Sequence, residues 1–196
     1  MQKHNEAEPM DDIRQPGKPS KPLGMFFELT EVLCSAVLAI AVLFTFAMRF
    51  AGVLGQSMMP TLHNRDWLSI TANWPTPKRG AIVIINSFHE PLVKRVVAIE
   101  GDVVDIKEGR LWINGAAVDE PYLPEGRETE PAPWHDAAVE YPAAVPRGKV
   151  FVLGDNRGAS MDSRFADVGL IRVDDILGRV LFRLRSTVAG SGFKVN

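Results

Sequence analysis

The stretch "DVVDIKEGRLWINGAAV", residues 102–118, determines the fold class that the sequence predicts. Two turn signals, Glu108-Gly109 and Asn114-Gly115, flank the alternating segment "RLWI" within it. An Asn-Gly pair between alternating apolar and polar residues is a strong hairpin signal, because both turn residues tolerate a positive φ. We therefore expect a meander of short antiparallel strands over this part of the chain.

Other short apolar segments, punctuated by Gly and Pro, lie on both sides of this meander. The run "AIVIINS", residues 81–87, is continuously apolar up to its polar end, which is typical of a strand buried on both faces. The segments "KVFVLGD" and "ILGRVLFRLRS" are two further strand candidates. We predict a mainly β domain over residues 51–196, built on a partly barrel-like antiparallel sheet, in which the proline-rich residues 119–146 form a long surface excursion.

One long apolar run, "VLCSAVLAIAVLFTFAM" at residues 32–48, precedes this domain and carries no charge. At about 1.5 Å per residue it spans roughly 25 Å, the short end of a bilayer crossing. Continuing through "RFAGVL" lengthens it if Arg49 snorkels toward the headgroups. We assign residues 25–50 as a transmembrane anchor. The alternatives are a cleaved signal peptide, which normally follows a short basic leader, and a core helix, which normally shows a polar face.

The leader, residues 1–24, is rich in Pro, Lys, Asp and Glu and has no apolar periodicity, so we predict a disordered tail. Lys18 and Lys21 lie shortly before the apolar run, and Arg49 follows it. This slight excess of basic residues favours an N-terminus on the inside of the membrane. We therefore expect a cytoplasmic tail, a single membrane span and a β domain on the outer side.

The composition excludes several functional classes. A formal net charge of −2 gives no electrostatic basis for binding nucleic acid. The one cysteine, Cys34, falls inside the apolar run and cannot form an intrachain disulfide. Four scattered histidines, unaccompanied by thiols in the β domain, make a structural zinc site improbable, and we expect neither a metal nor a cofactor. These histidines are His4, His63, His89 and His135.

The first polar segment of chemical interest is "GQSMMPTL", residues 55–62, which contains Ser57 shortly after the apolar run. The nucleophile elbow of α/β-hydrolases requires G-x-S-x-G, and the second glycine is absent here. Taken alone, Ser57 is more often a turn or cap hydroxyl than a nucleophile.

The second segment is "PLVKRVVAIEGD", residues 91–102. Alternation over a strand divides it into two faces, with Leu92, Lys94, Val96 and Ala98 on one and Val93, Arg95, Val97 and Ile99 on the other. A cation must therefore share a face with apolar residues. An edge lysine that guards against aggregation is the simple explanation. Alternatively, a desolvated lysine has a lowered pKa, and a depression of about two units raises its neutral fraction at pH 7.4 from about a thousandth to roughly a tenth.

The third segment is "LGDNRGASMDSR", residues 153–164, which is dense in Asp, Asn, Ser and Gly. Its simple interpretation is a tight turn with Asp-to-Arg pairing. Its functional interpretation is a brace, in which a hydroxyl and ion pairs fix the geometry of a neighbouring group.

Together, these segments resemble bacterial type I signal peptidases, the membrane-bound serine proteases that remove signal peptides from exported proteins. "GQSMMPTL" resembles the nucleophile box of that family, "RGAIVIIN" the strand that follows, "KRVVAIEGD" the base box and "GDNRGASMDSR" the last box. Order and spacing agree over residues 32–180. The resemblance implies that the partners are exported preproteins and the lipid bilayer, with the chain in the cytoplasmic (inner) membrane.

The resemblance also implies roles for individual residues. Ser57 is the implied nucleophile, its backbone N–H an oxyanion donor, and Lys94 the implied general base. Ser160 is similar to the hydroxyl that orients this lysine. The remaining matches are scaffolding residues and residues near the pockets for small side chains. They are Asp155, Asp162 and Arg164 for the scaffold, and Met58, Leu62, Leu92 and Val93 for the pockets.

The chain departs from the family pattern at several points. Gly55 stands where many members carry a serine whose hydroxyl completes the oxyanion hole, and the loss of one such donor costs about 10²–10³ in rate. Ala81 replaces the usual aspartate, and "VAIEGD" replaces a version richer in Gly and Pro. The stretch between the base box and the last box is short, so we expect the family's variable second lobe to be reduced to a loop.

Four other functions are compatible with parts of the pattern. A self-cleaving repressor with the same mechanism would be soluble and would carry a DNA-binding module. A histidine-based triad would use His63 or His89. A membrane-anchored β module would bind peptides without cutting them, and a mitochondrial relative of the peptidase would need a different leader.

Overall fold

The computed structural model describes residues 21–47, 49–71, 77–87 and 90–184. The chain divides into two units, Met1–Leu43 and Phe44–Asn196. A single helix, α1 (Lys21–Ala47), dominates the first unit, and its segment Gly24–Val42 is long and apolar enough to cross a membrane, with none of it buried.

The structure corrects both ends of the predicted anchor. Residues 1–20 of the expected tail lie outside the described residues, but residues 21–24 are helical rather than disordered. Pro22 is compatible with this start, because a first-turn N–H has no helical partner to lose. At the other end, Arg49–Gly52 does not extend the helix but forms a strand. Its backbone pairs antiparallel with Trp67–Thr71, which satisfies the hydrogen-bonding groups along one edge of the strand.

The second unit is built from short antiparallel strands. In chain order they are β1 (Arg49–Gly52), β2 (Trp67–Thr71), β3 (Ile82–Ile85), β4 (Leu92–Ile99), β5 (Val103–Lys107), β6 (Arg110–Ile113), β7 (Ala116–Ala117), β8 (Ala143–Ala144), β9 (Lys149–Leu153), β10 (Ile171–Arg172) and β11 (Ile176–Leu184). Two 3₁₀ turns, Arg157–Ala159 and Val173–Asp175, lie between them. The larger sheet has the order β1-β2-β11-β3-β4-β9-β10 and every pairing in it is antiparallel. The mainly β, partly barrel-like fold is therefore confirmed.

The hairpin meander is also confirmed. β5, β6 and β7 pair in sequence through two-residue turns. Glu108 and Gly109 have φ values of 55° and 68°, and Asn114 and Gly115 have 53° and 80°. Two successive positive φ values define the type I′ turn, whose twist matches that of the flanking strands.

The predicted excursion, residues 119–146, contains no helix or strand up to residue 142, but its last part is not a loop. β8 lies inside this segment and completes a second sheet of order β7-β6-β5-β8. Thr129 and Ala132 are buried within it. The second lobe is thus a small sheet rather than a loop. The segment lacks apolar periodicity because its buried residues are isolated, and Thr129, for example, accepts a hydrogen bond from Arg157.

Three apolar clusters form the core, and β4 contacts all of them. One lies between the two sheets, one beneath the loop that contains Ser57, and one on the opposite face of the larger sheet. The predicted alternation along β4 fails after Val96, where the register to β9 shifts. This β-bulge turns Ala98 to the same cluster as Val97, so Ala98 does not share a face with Lys94.

Candidate active site

The loop that carries Ser57 connects β1 to β2. Gly55 has a φ of +91°, a left-handed conformation that favours glycine, and its N–H donates to Asn64 Oδ1 at 3.2 Å. Ser57 is half-buried, whereas Met58, the next residue, is buried in the core. The carbonyl oxygen of Ser57 accepts a hydrogen bond of 2.9 Å from the N–H of Asn156. The last box therefore holds the loop through the backbone of Ser57 itself.

Lys94 lies near the middle of β4, opposite Val83, and is only 2% exposed. Its Nζ donates a hydrogen bond of 3.2 Å to Ser160 Oγ. Desolvation lowers the pKa of Lys94 to about 8, while the nearby Asp162 carboxylate opposes this shift and the Arg164 guanidinium adds to it. At pH 7.4 roughly a fifth of the Lys94 side chains are therefore neutral and able to accept a proton.

Gly154 is the point at which the three polar segments meet. It follows β9 and is buried, and its N–H donates to Asp162 Oδ2 at 3.0 Å. A Cβ atom on Gly154 would lie 2.5 Å from both Ser160 Cβ and the Ser57 carbonyl oxygen, and closer still to Ser160 Oγ. The absence of a side chain here lets Ser160, the hydrogen-bond partner of Lys94, approach the loop that carries Ser57.

Asp162 and Arg164 form a buried, bidentate ion pair, with contacts of 2.8 Å and 3.0 Å. The Arg164 guanidinium also donates to the carbonyls of Glu130, Arg157 and Ser160. A buried charge is costly unless its hydrogen-bonding groups are satisfied, and the groups of this ion pair are satisfied by these contacts. The same contacts fix the backbone around Ser160.

Asp155 connects β4 to the loop that carries Ser57. Arg95, the neighbour of Lys94, donates from Nε and Nη2 to the two oxygens of Asp155 at 2.8 Å and 2.6 Å. Thr61 Oγ1 donates to the same carboxylate at 2.5 Å. Asp155 is fully buried, so both contacts are shielded from solvent. The sequence pattern assigned a scaffolding role to Asp155 but none to Arg95 or Thr61.

A cavity of about 290 Å³ lies beside Ser57. The predicted pocket residues Leu92 and Val93 line it together with Ala51, Ile84 and Pro91. The other two predicted pocket residues, Met58 and Leu62, do not line this cavity. They are buried in the cluster that packs against Val93 and Ile84, and so they support its wall.

Other predicted groups do not contact the candidate dyad. His63 is exposed, and His89 lies outside the described residues. Within the described part of the chain, no hydrogen bond joins Ser57 to Lys94, and none has the Ser57 N–H as its donor. The backbone N–H of Ser57 is thus available to an external acceptor.

The burial of Lys94 leads to a prediction about stability. Its pKa in the folded protein, about 8, is below the unfolded value near 10.4, so the unfolded chain binds more protons between these limits. Stability should therefore rise with pH across this window as the penalty for the buried ammonium disappears. We expect Lys94→Met to be more stable than the parent by about 3 kcal/mol at pH 7, with most of this gain lost by pH 10.

Chemical denaturation of the full chain in detergent at pH 7 and pH 10 measures this difference. Lys78→Met is the matched control, since Lys78 is exposed. A gain in Lys94→Met that is the same at both pH values would show that the ammonium is not desolvated.

A half-buried serine on a loop, held next to the hydrogen-bond partner of a buried lysine, is compatible with serine peptidases in which lysine takes the place of histidine. The mainly β scaffold and the apolar helix fit a membrane-bound member of that class. The family model for "Signal peptidase, peptidase S26" matches residues 26–185. The chain belongs to this family and is a signal peptidase, which confirms the resemblance seen in its sequence.

Individual relatives agree. The chain is 38% identical to a signal peptidase I of Bacillus licheniformis over 162 residues, which cover 80% of this chain and 87% of the relative. It is 39% identical to a signal peptidase I of Bacillus amyloliquefaciens over 132 residues, or 65% and 71% of the two chains. A crystal structure of a signal peptidase I from Enterococcus faecalis V583 aligns with a TM-score of 0.44 at 28% identity, covering 55% of this chain and 97% of that one.

Proposed function

We propose that this signal peptidase cleaves exported preproteins with Ser57 as nucleophile and Lys94 as general base. The observation that carries the proposal is the state of Lys94, which is 2% exposed, has its pKa lowered to about 8 and donates to Ser160 Oγ. A neutral amine is a competent base for a serine hydroxyl, whereas an exposed lysine would be protonated at neutral pH.

The reaction begins when neutral Lys94 accepts the proton of Ser57 Oγ as this oxygen attacks the carbonyl carbon of the scissile bond. Catalytic hydrogen bonds often tighten only in the complex with substrate, so we expect Ser57 Oγ and Lys94 Nζ to come together on binding. The ammonium of Lys94 then gives its proton to the leaving amine, which departs as the new N-terminus of the mature protein. An ester of Ser57 with the signal peptide remains.

In the second half of the reaction, Lys94 accepts a proton from a water molecule, which attacks the ester carbonyl. Breakdown of the second tetrahedral intermediate returns the proton to Ser57 and releases the signal peptide as a carboxylic acid. The unbonded N–H of Ser57 stabilises the oxyanion in both halves. Ser160 orients the amine, while Asp155, Asp162 and Arg164 keep the surrounding backbone in place.

The substrate is bound as an extended chain beside Ser57. β1 is an edge strand of the larger sheet and contributes Ala51 to the cavity, so its free edge offers backbone groups to a peptide. The apolar cavity walls at Leu92 and Val93 suit alanine-sized side chains at the first and third positions before the cleaved bond. These are the positions at which small residues are expected in signal peptides.

The apolar helix anchors the enzyme in the lipid bilayer, next to substrates whose own apolar segment is still in the membrane. Nine residue steps separate Met48 from Ser57, a distance of at most about 30 Å even when fully extended. Lys18 and Lys21, which precede the apolar run, support a cytoplasmic N-terminus and a catalytic domain on the outer side of the inner membrane.

The proposal is tested by the pH dependence of preprotein cleavage by the full chain in liposomes. We expect kcat/KM to rise with pH around a midpoint near 8, because deprotonated Lys94 is the active form. Mass spectrometry of the products locates the cleaved bond, and Ser57→Ala is the inactive control. A rising limb centred near 10.4, or the same products from Ser57→Ala, would refute the proposed roles.

A further inference from the structure

Arg95, next to Lys94 in β4, is enclosed on two sides. Its guanidinium forms the bidentate ion pair with Asp155, and a third nitrogen, Nη1, donates to the carbonyl of Gly80 at 2.8 Å. The ring of Tyr122 covers its face, with the guanidinium carbon 3.8 Å from the ring centroid. Only 10% of the Arg95 side chain is exposed as a result. Tyr122 belongs to the segment that the sequence predicted to be a surface excursion.

A second buried ion pair holds Tyr122 in this position. The Tyr122 hydroxyl donates to Glu120 Oε1 at 2.5 Å. Glu120 in turn accepts two hydrogen bonds from Arg157, at 2.6 Å and 3.0 Å, and the two side chains are 8% and 1% exposed. Arg157 Nε donates to the carbonyl of Gly154 at 3.1 Å. The contacts therefore run from the base strand through Tyr122 and Glu120 to the glycine at the centre of the site.

The same segment is attached to the last box at its far end. Arg157 Nη1 donates to the buried Thr129 hydroxyl, and Arg164 Nη1 donates to the carbonyl of Glu130 at 2.9 Å. Residues 120–130, which we name the strap, are thus fixed by two buried arginines. None of them belongs to the apolar cluster between the two sheets. The strap is held by polar contacts directed at the site.

We propose that the strap is a positioning element of the active site, in which Tyr122 and Glu120 keep water away from Arg157 and the last box, and so preserve the desolvated environment of Lys94. This inference rests on the proposed role of Lys94 as base. An aromatic face over a desolvated guanidinium is a favourable cation–π contact. Charge interactions also strengthen when water is excluded. The two charges that act on Lys94, those of Asp162 and Arg164, belong to the last box, which the strap contacts through Arg157 and Arg164.

The test compares Tyr122→Leu with Tyr122→Phe, which keeps the ring over Arg95 and loses only the hydroxyl. In Tyr122→Leu, water enters beside the last box and solvates the ammonium of Lys94, which raises the pKa of Lys94. The rising limb of kcat against pH should therefore move to higher pH. We expect kcat at pH 7 to fall about tenfold, which corresponds to a shift of about one pKa unit, with KM changed little. Tyr122→Phe should restore most of the rate and the parental pH profile.

Trp134→Leu is the matched control, because Trp134 is an aromatic residue of the same excursion that is 90% exposed. If Tyr122→Leu does not fold, Glu120→Gln, which removes the charge that holds Tyr122 and Arg157, must show the same alkaline shift. The inference is overturned if the variants keep the parental dependence of kcat on pH and lose activity only in proportion to the loss of folded enzyme. Lys94→Met is assayed in parallel: activity there refutes the proposed function, whereas an inactive Lys94→Met with unshifted Tyr122 variants refutes only the strap.

Discussion

We expect Lys94→Met and Ser57→Ala each to lower kcat/KM for a preprotein by at least about 10⁴-fold, the range seen when a member of a catalytic dyad or triad is removed. Methionine retains the length and apolar stem of Lys94 but has no amine to accept the proton of Ser57. Because Lys94 is buried and its pKa is lowered, the methionine variant should also be more stable at neutral pH. Loss of activity is then separated from loss of folding. The measurement is cleavage of one preprotein by the full chain in liposomes.

Two further variants distinguish a base from a mere positive charge. Lys94→Arg keeps a cation, but guanidinium stays protonated at every accessible pH and cannot take up a proton, so we expect it to be inactive. The double variant Ser57→Ala, Lys94→Met should be no slower than either single variant, since the two side chains act in one proton transfer. Substantial activity in Lys94→Arg, or an additive loss in the double variant, would contradict the dyad.

The sequence predicted the elements in which local chemistry determines structure. Asn114-Gly115 requires two positive φ values, and the meander around it forms as expected. The continuous apolar run at Ile82–Ile85 is a central strand of the larger sheet. The two polar segments that carry Lys94 and Ser160 come within hydrogen-bonding distance, although 66 residues separate them. Taken alone, each segment had a simple structural interpretation, and they were identified by their order and spacing, which resemble those of the signal peptidase boxes.

The features that the sequence did not predict depend on contacts between distant residues. The strap shows no apolar periodicity, because Glu120 and Thr129 are buried against Arg157 rather than against an apolar face. The bulge after Val96 depends on how β4 and β9 pair, which the residues of β4 alone do not specify. Gly154 stood within a recognised box, yet only the three-dimensional structure shows why a side chain is excluded there.

We expect Gly154→Ala to lower kcat/KM by at least about 10²-fold, the loss that follows when catalytic groups are misplaced by about 1 Å. The new methyl group would lie 2.5 Å from the backbone oxygen of Ser57 and from Ser160 Cβ. Real Cβ atoms do not approach other atoms so closely, so the nucleophile loop or Ser160 must move. The conformation of Gly154 is not left-handed, hence the effect is one of space rather than backbone strain. Preprotein cleavage and the stability of the purified variant are the measurements.

Gly158→Ala is the matched control, because it adds the same methyl group to the same polar box, where the nearest atom, Arg127 Nη1, would be at an ordinary 3.7 Å. Introducing Gly154→Ala into the variant Ser160→Gly distinguishes the contact with the Ser160 side chain from the contact with the Ser57 carbonyl oxygen. Ser160→Gly removes the contact with the Ser160 side chain but leaves the contact with the Ser57 carbonyl, so Gly154→Ala should still reduce the residual activity of Ser160→Gly. If Gly154→Ala cleaves at the parental rate, the nucleophile loop and the partner of Lys94 cannot be packed around Gly154. If Gly154→Ala has no effect on cleavage in the Ser160→Gly background, the added methyl group displaces Ser160 alone, and the Ser57 loop accommodates it without moving.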